Sequence, residues 1–139
     1  MPEKIRVAIV IGMFHSDIAE EMLKRMKIRA GELGVEVAKT IRVPCSYETP
    51  LAAKRLLEKS DIDCVVVSGF IEKGHTMHGE QMGLVVSRLI KKMELQYNKP
   101  VGMGIIGPGA TEEQAKQRLN YGAAAVDAAV KMVGILREL

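Results

Sequence analysis

Two histidines lie in a short polar segment that directly follows a strongly apolar run. Residues 62–68 are rich in valine, as is typical of a strand buried inside a parallel sheet. The glycine-bounded stretch that follows carries Glu72, His75, Thr76 and His78. In open α/β sheets, ligands bind where strands end and loops begin. An imidazole that titrates near neutral pH can move protons for a substrate bound there, so this segment is a candidate catalytic site.

The composition limits the class of protein. The chain has 139 residues, 47% of them hydrophobic and 27% charged, which is typical of one globular domain spanning residues 1–139. The formal charge of +3 is too small to indicate a nucleic-acid surface, and no apolar run is long enough to cross a membrane. We therefore expect neither nucleic acid nor a membrane as a partner.

The two cysteines predict no metal site and no redox motif. Cys45 and Cys64 have neither metal-ligand spacing nor a CxxC pattern, which favours a reducing compartment. The first four residues lead straight into a strand, so we expect no signal peptide and a cytoplasmic location. His75 and His78 are three apart, but no third ligand has suitable spacing, and no bound metal is predicted.

Four strand patterns, each followed by a helix pattern, predict the fold. The strands are expected at 5–11, 35–43, 62–68 and 100–106, and helices at 16–34, 51–59, 79–97, from 111, and at 121–139. Ser16 and Thr49 are predicted N-caps, and Thr111 begins a capping box with Gln114. The second strand alternates apolar and polar residues, as edge strands do.

These units predict a three-layer α/β/α sandwich of flavodoxin-like type. Its four-stranded parallel sheet should have the order 2-1-3-4, with helices on both faces. The segments after the strands then meet at one edge of the sheet, where a glycine turn at 107–109 also lies. Gly102 and Gly104 predict a close approach of another group, or tight packing, against the fourth strand. A GxGxxG after the first strand and a P-loop lysine are both absent, which excludes the usual nucleotide scaffolds.

Several short motifs, in order along nearly the whole chain, carry a family resemblance. They are Phe14 after the first strand, Val43-Pro44 with Tyr47-Glu48 and Pro50, Gly74-x-Thr76-x-His78, and Glu113-Gln114-Ala115 with Arg118. With these motifs the chain resembles the 6,7-dimethyl-8-ribityllumazine synthases. The segment 95–101 and the turn at 107–109 are most similar to the short archaeal branch.

The resemblance implies an enzyme of riboflavin biosynthesis. In this family 5-amino-6-ribitylaminouracil condenses with 3,4-dihydroxy-2-butanone 4-phosphate, releasing phosphate and water, without a metal or organic cofactor. It also implies a homo-oligomer, either a pentamer or a shell of sixty subunits, with each active site shared between neighbours.

The resemblance also implies roles for individual residues. His78 matches the histidine that transfers protons, and Arg118 matches the arginine that binds phosphate. The other implied substrate-binding residues are Phe14, Ser46, Tyr47, Glu48, Phe70, Ile71, Glu72, His75, Thr76 and Met103.

The chain departs from the family pattern at several of these positions. His15 stands where the family usually has asparagine, Cys45 where it has glycine, and Met103 where it has an aromatic residue. A lysine often found near the phosphate has no counterpart at 123–125. Two alternatives therefore stay open: a related archaeal-type riboflavin synthase, and a non-catalytic, shell-forming protein that binds lumazine or flavin.

Overall fold

The computed structural model describes residues 3–139 and consists of four β/α units. The strands are β1 (Arg6–Gly12), β2 (Glu36–Val43), β3 (Cys64–Glu72) and β4 (Val101–Ala110). The helices are α1 (Ser16–Glu32), α2 (Thr49–Leu57), α3 (His78–Tyr97), α4 (Glu112–Lys116) and α5 (Tyr121–Glu138). A short 3-10 turn, Ser46–Glu48, precedes α2. The prediction that the first residues lead directly into a strand concerns in part Met1 and Pro2, which lie outside the described residues.

The sheet is parallel throughout, with the order β2-β1-β3-β4, which confirms the predicted topology. β2 lies at an edge, as its alternating pattern indicated, and β1 and β3 are central and almost wholly buried. Their near-continuous apolar runs are what strands covered on both faces require.

Alternate residues of the central strands supply two cores. Val7, Ile9 and Val66 face a cluster that includes residues of α1 and α5. Ala8 and Val65 face the opposite cluster, which is completed by α2 and α3. Because successive strand side chains point to opposite faces, the three-layer sandwich follows directly from these sequences. Among residues 3–139, no helix combines the length and the apolar composition needed to cross a bilayer.

α5 packs very close to β4, and this contact explains why the strand contains Gly102 and Gly104. A Cβ atom added to Gly104 would lie 2.8 Å from the Cα of Gly122 on α5. One added to Gly102 would overlap the carbonyl oxygen of Ala125. The glycines therefore serve packing between a strand and a helix of the same chain, and Ala129 continues the small-residue contact.

Two predicted N-caps are wrong, and both lie beside the candidate site. α1 begins at Ser16 itself, and the preceding cap residue is His15, whose backbone is left-handed with φ 54°. Thr49 is the first residue of α2 after the cap residue Glu48, and its hydroxyl donates to the carbonyl oxygen of Ser46 at 2.7 Å. In each case the conformation of the preceding turn determines where the helix begins.

β3 and β4 are both longer than predicted. β3 continues four residues beyond Ser68 because Gly69 and Phe70 still pair with β4, opposite Ile105 and Ile106. β4 includes the segment 107–109, predicted as a turn; the register shifts there, and pairing resumes at Ala110. Gly107 and Gly109 both have positive φ, so the glycine turn is kept as a bulge inside β4, which continues to Ala110.

Candidate active site

The carboxyl ends of β1, β2 and β3 hold the candidate site. β1 ends at Gly12, and a Cβ atom there would lie 2.5 Å from the backbone of Cys45 and Ser46. Only glycine allows this contact, which brings the segment after β1 against the 3-10 turn after β2. The backbone N–H of Met13 also donates to the carbonyl oxygen of Val43 at 2.9 Å, which fixes the two segments together.

A cavity of about 430 Å³ opens between these strand ends and the start of α3. Seven of the twelve predicted site residues line it: Phe14, Ser46, Phe70, Ile71, Glu72, Thr76 and His78. They come from three separate connections of the chain, which the parallel sheet brings to one edge. The volume is within the range of small-molecule sites, which are mostly apolar with a few polar groups.

Sequence reasoning missed five residues that also line the cavity: Cys45, Lys73, Gly74, Gly79 and Met82. Lys73 and Gly74 lie inside the segment singled out first, but nothing in the sequence indicated that their own atoms face the cavity. Met82 lies one helical turn beyond His78 on α3, so the start of that helix forms one wall.

Phe14, His15 and Phe70 form an aromatic group beside the cavity. Phe14 is 44% exposed and offers an open ring face, whereas Phe70 is buried in the core. The His15 ring centroid lies 4.6 Å from that of Phe14, edge-on, and 5.2 Å from that of Phe70. Its Nε2 atom lies 3.0 Å from Oε1 of Glu72. His15 therefore joins the aromatic wall to a carboxylate that lines the cavity.

His78 is the first residue of α3 and is exposed at the mouth of the cavity. Its backbone N–H donates to the hydroxyl oxygen of Thr76 at 3.3 Å, so Thr76 satisfies one of the free N–H groups at the helix start. The imidazole also borders a second groove of about 350 Å³, which Tyr47 and Leu84 line as well. Tyr47 thus lies next to His78 outside the main cavity.

Four other predicted residues lie away from the main cavity within this chain. Met103 is half-buried and packs on the α2–α3 core. Arg118 is exposed between α4 and α5 and donates to the carbonyl oxygen of Gln114 at 3.1 Å. His75 and Glu48 are exposed and do not line the cavity.

The Ser46 hydroxyl differs from the other buried polar groups. Ser46 is 1% exposed, and its Oγ is the one buried side-chain polar atom without a hydrogen-bond partner in the described part of the chain. It lies against Gly69, where an added Cβ atom would overlap it. Leaving such a group unsatisfied costs roughly 1–3 kcal/mol.

Both cysteines are free thiols whose environments disfavour the thiolate. Burial, assisted by the charge of Glu48, raises the pKa of Cys45 at the cavity wall. Deeper burial raises the pKa of Cys64, at the start of β3, to about 12. Cys45 is therefore protonated at neutral pH, which argues against a nucleophilic role.

One group of side chains in residues 3–139 has the composition of a metal site. One ligand atom each from His15, Glu72 and Glu112 lies within 4.8 Å of the others. The three residues are far apart in the sequence, so no spacing rule applied to the sequence indicates them. His15 and Glu72 already bond to each other, and Glu112 pairs with Lys116 at 3.4 Å.

Comparisons with known proteins identify the family of this chain. The family model described as 6,7-dimethyl-8-ribityllumazine synthase matches residues 4–137. A protein of that name from Metallosphaera sedula is 46% identical over 136 residues, covering 97% of this chain and 90% of the relative. A relative of the same name from Picrophilus torridus is 45% identical, covering 96% of this chain and 98% of its own. One from Saccharolobus solfataricus is 45% identical, covering 100% and 92%. The chain belongs to the 6,7-dimethyl-8-ribityllumazine synthase family.

Proposed function

We propose that the protein condenses 5-amino-6-ribitylaminouracil with 3,4-dihydroxy-2-butanone 4-phosphate to 6,7-dimethyl-8-ribityllumazine, a step of riboflavin biosynthesis. Membership of the family over residues 4–137 is the observation that carries this proposal. The cavity at the strand ends supports it, because it contains the residues that the resemblance assigns to the pyrimidine and to proton transfer.

His78 is the proposed general acid and base. Forming an imine between the amine and the ketone, eliminating phosphate and closing the ring each require that a proton be moved. An imidazole can both accept and donate a proton, so one side chain can serve successive steps in both directions. The exposed position of His78 at the cavity mouth leaves its ring free to reach a substrate.

The opposite wall is the proposed binding site for the pyrimidine. The half-exposed ring of Phe14 offers a flat apolar surface, and the backbone at 70–72 offers hydrogen-bonding groups where β3 ends. The segment formed by Ser46, Tyr47 and Glu48, which begins at the cavity wall, is proposed to bind the ring and the ribityl hydroxyls, as the resemblance implies. Holding two reactants together in this way supplies much of the rate enhancement in condensation reactions.

We also propose that the active chain is a homo-oligomer, with a pentamer as the expected form. A face along α2 and α3 exposes Tyr47, Leu51, Leu84, Val85 and Leu89, of which Leu51 and Leu84 are each 72% exposed. This face borders His78 through the shared groove. Apolar faces of this kind are typical of surfaces buried between subunits.

A second copy packed on this face would complete the site. Arg118 and Met103 lie outside the cavity of their own chain, and we propose that they contribute to the site of a neighbouring copy. The free state of both cysteines in the structure agrees with the cytoplasmic location that we propose for this enzyme.

Incubating the purified protein with both substrates and recording lumazine fluorescence tests the function. We expect fluorescent product and release of inorganic phosphate. Absence of product, together with tight binding of flavin, would contradict the enzymatic proposal and favour a non-catalytic binding protein.

Light scattering tests the assembly. We expect a mass of five chains for the wild type, or sixty if the pentamers form a shell. Leu84→Glu should reduce the mass, because a charge would be buried in the proposed interface. Lys24→Gln, on the exposed side of α1, should leave the mass unchanged. A monomeric wild type that is fully active would contradict the shared site.

A further inference from the structure

Three side chains at the carboxyl edge of the sheet bring metal-binding atoms together. His15 follows β1, Glu72 ends β3 and Glu112 begins α4. One ligand atom from each residue lies within 4.8 Å of the other two. An imidazole with carboxylates is a donor set that Zn²⁺ accepts in proteins, whereas Mg²⁺ prefers oxygen atoms alone. The chemistry of this group therefore favours a divalent transition-metal ion.

The His15 ring is fixed by its backbone and by its neighbours. The backbone is left-handed, and the carbonyl oxygen of His15 accepts a hydrogen bond from the N–H of Ala19 at 3.0 Å, in the first turn of α1. The half-buried ring packs against Phe14 and Phe70, with centroid distances of 4.6 Å and 5.2 Å. A ring held in this way loses little further side-chain entropy when it binds an ion.

Strand pairing brings the two carboxylates together. Glu72 lies opposite Ala110 in the β3–β4 register, and the N–H of Lys73 donates to the carbonyl oxygen of Ala110 at 2.8 Å. Glu112 follows two residues after Ala110, and the capping box of Thr111 fixes the first turn of α4. Both carboxylates are therefore carried by ordered backbone, as a preorganised metal site requires.

The distances suit a single ion. Two donor atoms that each lie roughly 2.1 Å from one Zn²⁺ ion are separated by about 3.0–3.4 Å at right-angled to tetrahedral bond angles. Nε2 of His15 and Oε1 of Glu72 are 3.0 Å apart, so an ion can take the place of the hydrogen bond between them. Glu112 has to exchange its ion pair with Lys116 for the metal, and this exposed pair, 3.4 Å long, contributes little.

We propose that His15, Glu72 and Glu112 bind one divalent metal ion of the zinc type at the rim of the cavity. The ion links the segment after β1 to the end of β3 and the start of α4. Because Glu72 also lines the cavity, the ion holds one cavity wall in place. The resemblance implies asparagine where His15 supplies the imidazole, so the site is specific to chains with this histidine. The inference is independent of the proposed function, because it involves neither substrate.

Titration calorimetry of the purified, tag-free chain with ZnCl₂ tests the site without turnover. We expect one Zn²⁺ ion per chain. Loss of an outer-shell partner already lowers metal affinity about 10–100-fold, so removal of a ligand by His15→Asn or Glu112→Gln should lower Zn²⁺ affinity at least tenfold. Asparagine tolerates the left-handed backbone of residue 15. Any binding of MgCl₂ should be equal in the wild type and His15→Asn, because Mg²⁺ prefers oxygen ligands.

Two matched variants control for binding elsewhere on the surface. Glu113→Gln removes the next carboxylate of α4, and His75→Asn removes another histidine; both residues are exposed and lie outside the group. Both variants should bind Zn²⁺ as the wild type does. Circular dichroism checks that each variant is folded, and Glu112→Gln tests the site by itself if His15→Asn is not.

Two results would overturn the inference. One is a wild type that binds no Zn²⁺, or that binds it with the same affinity as His15→Asn and Glu112→Gln. The other is loss of binding in His75→Asn with binding retained in His15→Asn, which would place the ion on the segment before α3. A chain that binds Zn²⁺ through His15 but forms no lumazine would contradict only the proposed function.

Discussion

Polar groups at the two ends of the parallel sheet differ in whether they have partners within the protein. At the amino end, Arg6 pairs with Glu36, and Asp63 accepts a hydrogen bond from the backbone N–H of Arg6 at 2.8 Å. Asp63 also lies 3.7 Å from Arg137. Lys99 donates to two backbone carbonyl groups nearby, at 3.0 Å and 2.7 Å. These charged side chains at the amino end therefore form ion pairs or hydrogen bonds with other groups of the protein.

At the carboxyl end, several polar groups have no partner among residues 3–139. The Ser46 hydroxyl is buried without a hydrogen bond, Lys73 forms no ion pair, and His78 is exposed beside an open cavity. Unsatisfied groups cost stability, and active sites are where proteins retain them. Under the proposed function, one end of the sheet stabilises the fold and the other end binds the substrates.

The largest expected effect is on activity at the carboxyl end. His78→Ala should lower kcat by about 10²–10⁴-fold, the usual contribution of a general acid or base. The free energy of unfolding should change by less than about 0.5 kcal/mol, because the side chain is exposed. Steady-state kinetics and urea denaturation measure the two quantities. Full activity in this variant would remove His78 from the proposed mechanism.

The two cysteines, one near each end, should respond differently to alkali. Folding raises the pKa of Cys64 from 9.0 to about 12, so the unfolded chain loses this proton first as pH rises. The contribution of Cys64 to the free energy of unfolding should therefore be fully present below pH 9. Between pH 9 and the folded-state pKa of about 12, the free energy of unfolding should fall by up to about 1.4 kcal/mol per pH unit. Cys64→Ala should make this decline shallower in urea titrations at successive pH values. Cys45→Ala, at a half-buried position, should alter the slope less.

A smaller loss of stability is expected from the amino end. Asp63→Ala removes the acceptor for the Arg6 N–H and should lower the free energy of unfolding by about 1–2 kcal/mol, with activity retained. Asp61→Ala is the matched control, because its ion pair with Arg6 is longer, at 3.6 Å, and more exposed. Equal effects of the two substitutions would show that the backbone bond to Asp63 is not the stabilising contact.

The smallest effect should have the opposite sign. Ser46→Ala removes a buried hydroxyl without a partner, so it should leave stability unchanged or raise it by up to about 1 kcal/mol. Ser68→Ala removes an equally buried hydroxyl that donates to the carbonyl oxygen of Gly104 at 2.9 Å and should cost about 1 kcal/mol. Thermal unfolding of the two variants measures the difference. Equal destabilisation by both substitutions would show that the Ser46 hydroxyl contributes as much to stability as the hydrogen-bonded Ser68 hydroxyl.

Sequence patterns predicted the fold well because its signals are local. The alternation in β2 and the apolar runs of β1 and β3 were sufficient for the strand order, and the capping box of Thr111 marked the start of α4. The limits of β3 were not predictable in this way. Its last four residues are held by pairing with β4, which lies some thirty residues further along the chain.

The site was predictable only in part, for a related reason. Phe14 and His78 follow strands, so the topology alone brings them to one cavity. The contact between His15 and Glu72 depends on a left-handed turn, and nothing in the residue order indicates it. The positions of Arg118 and Met103 relative to a substrate depend on packing that goes beyond one chain under the proposed assembly.

The left-handed turn at His15 restricts how this loop can vary during evolution. At φ 54°, glycine, asparagine, aspartate and histidine are tolerated best, whereas a β-branched residue would strain the backbone. The asparagine that the family resemblance implies at this position and the histidine found here both fit this backbone conformation. Exchanging asparagine for histidine leaves the backbone conformation unchanged but alters the chemistry of the site, because only the imidazole gives Glu72 an aromatic, ionisable partner. One substitution at this position can therefore change the hydrogen-bond partner of Glu72 beside the cavity while the backbone stays the same.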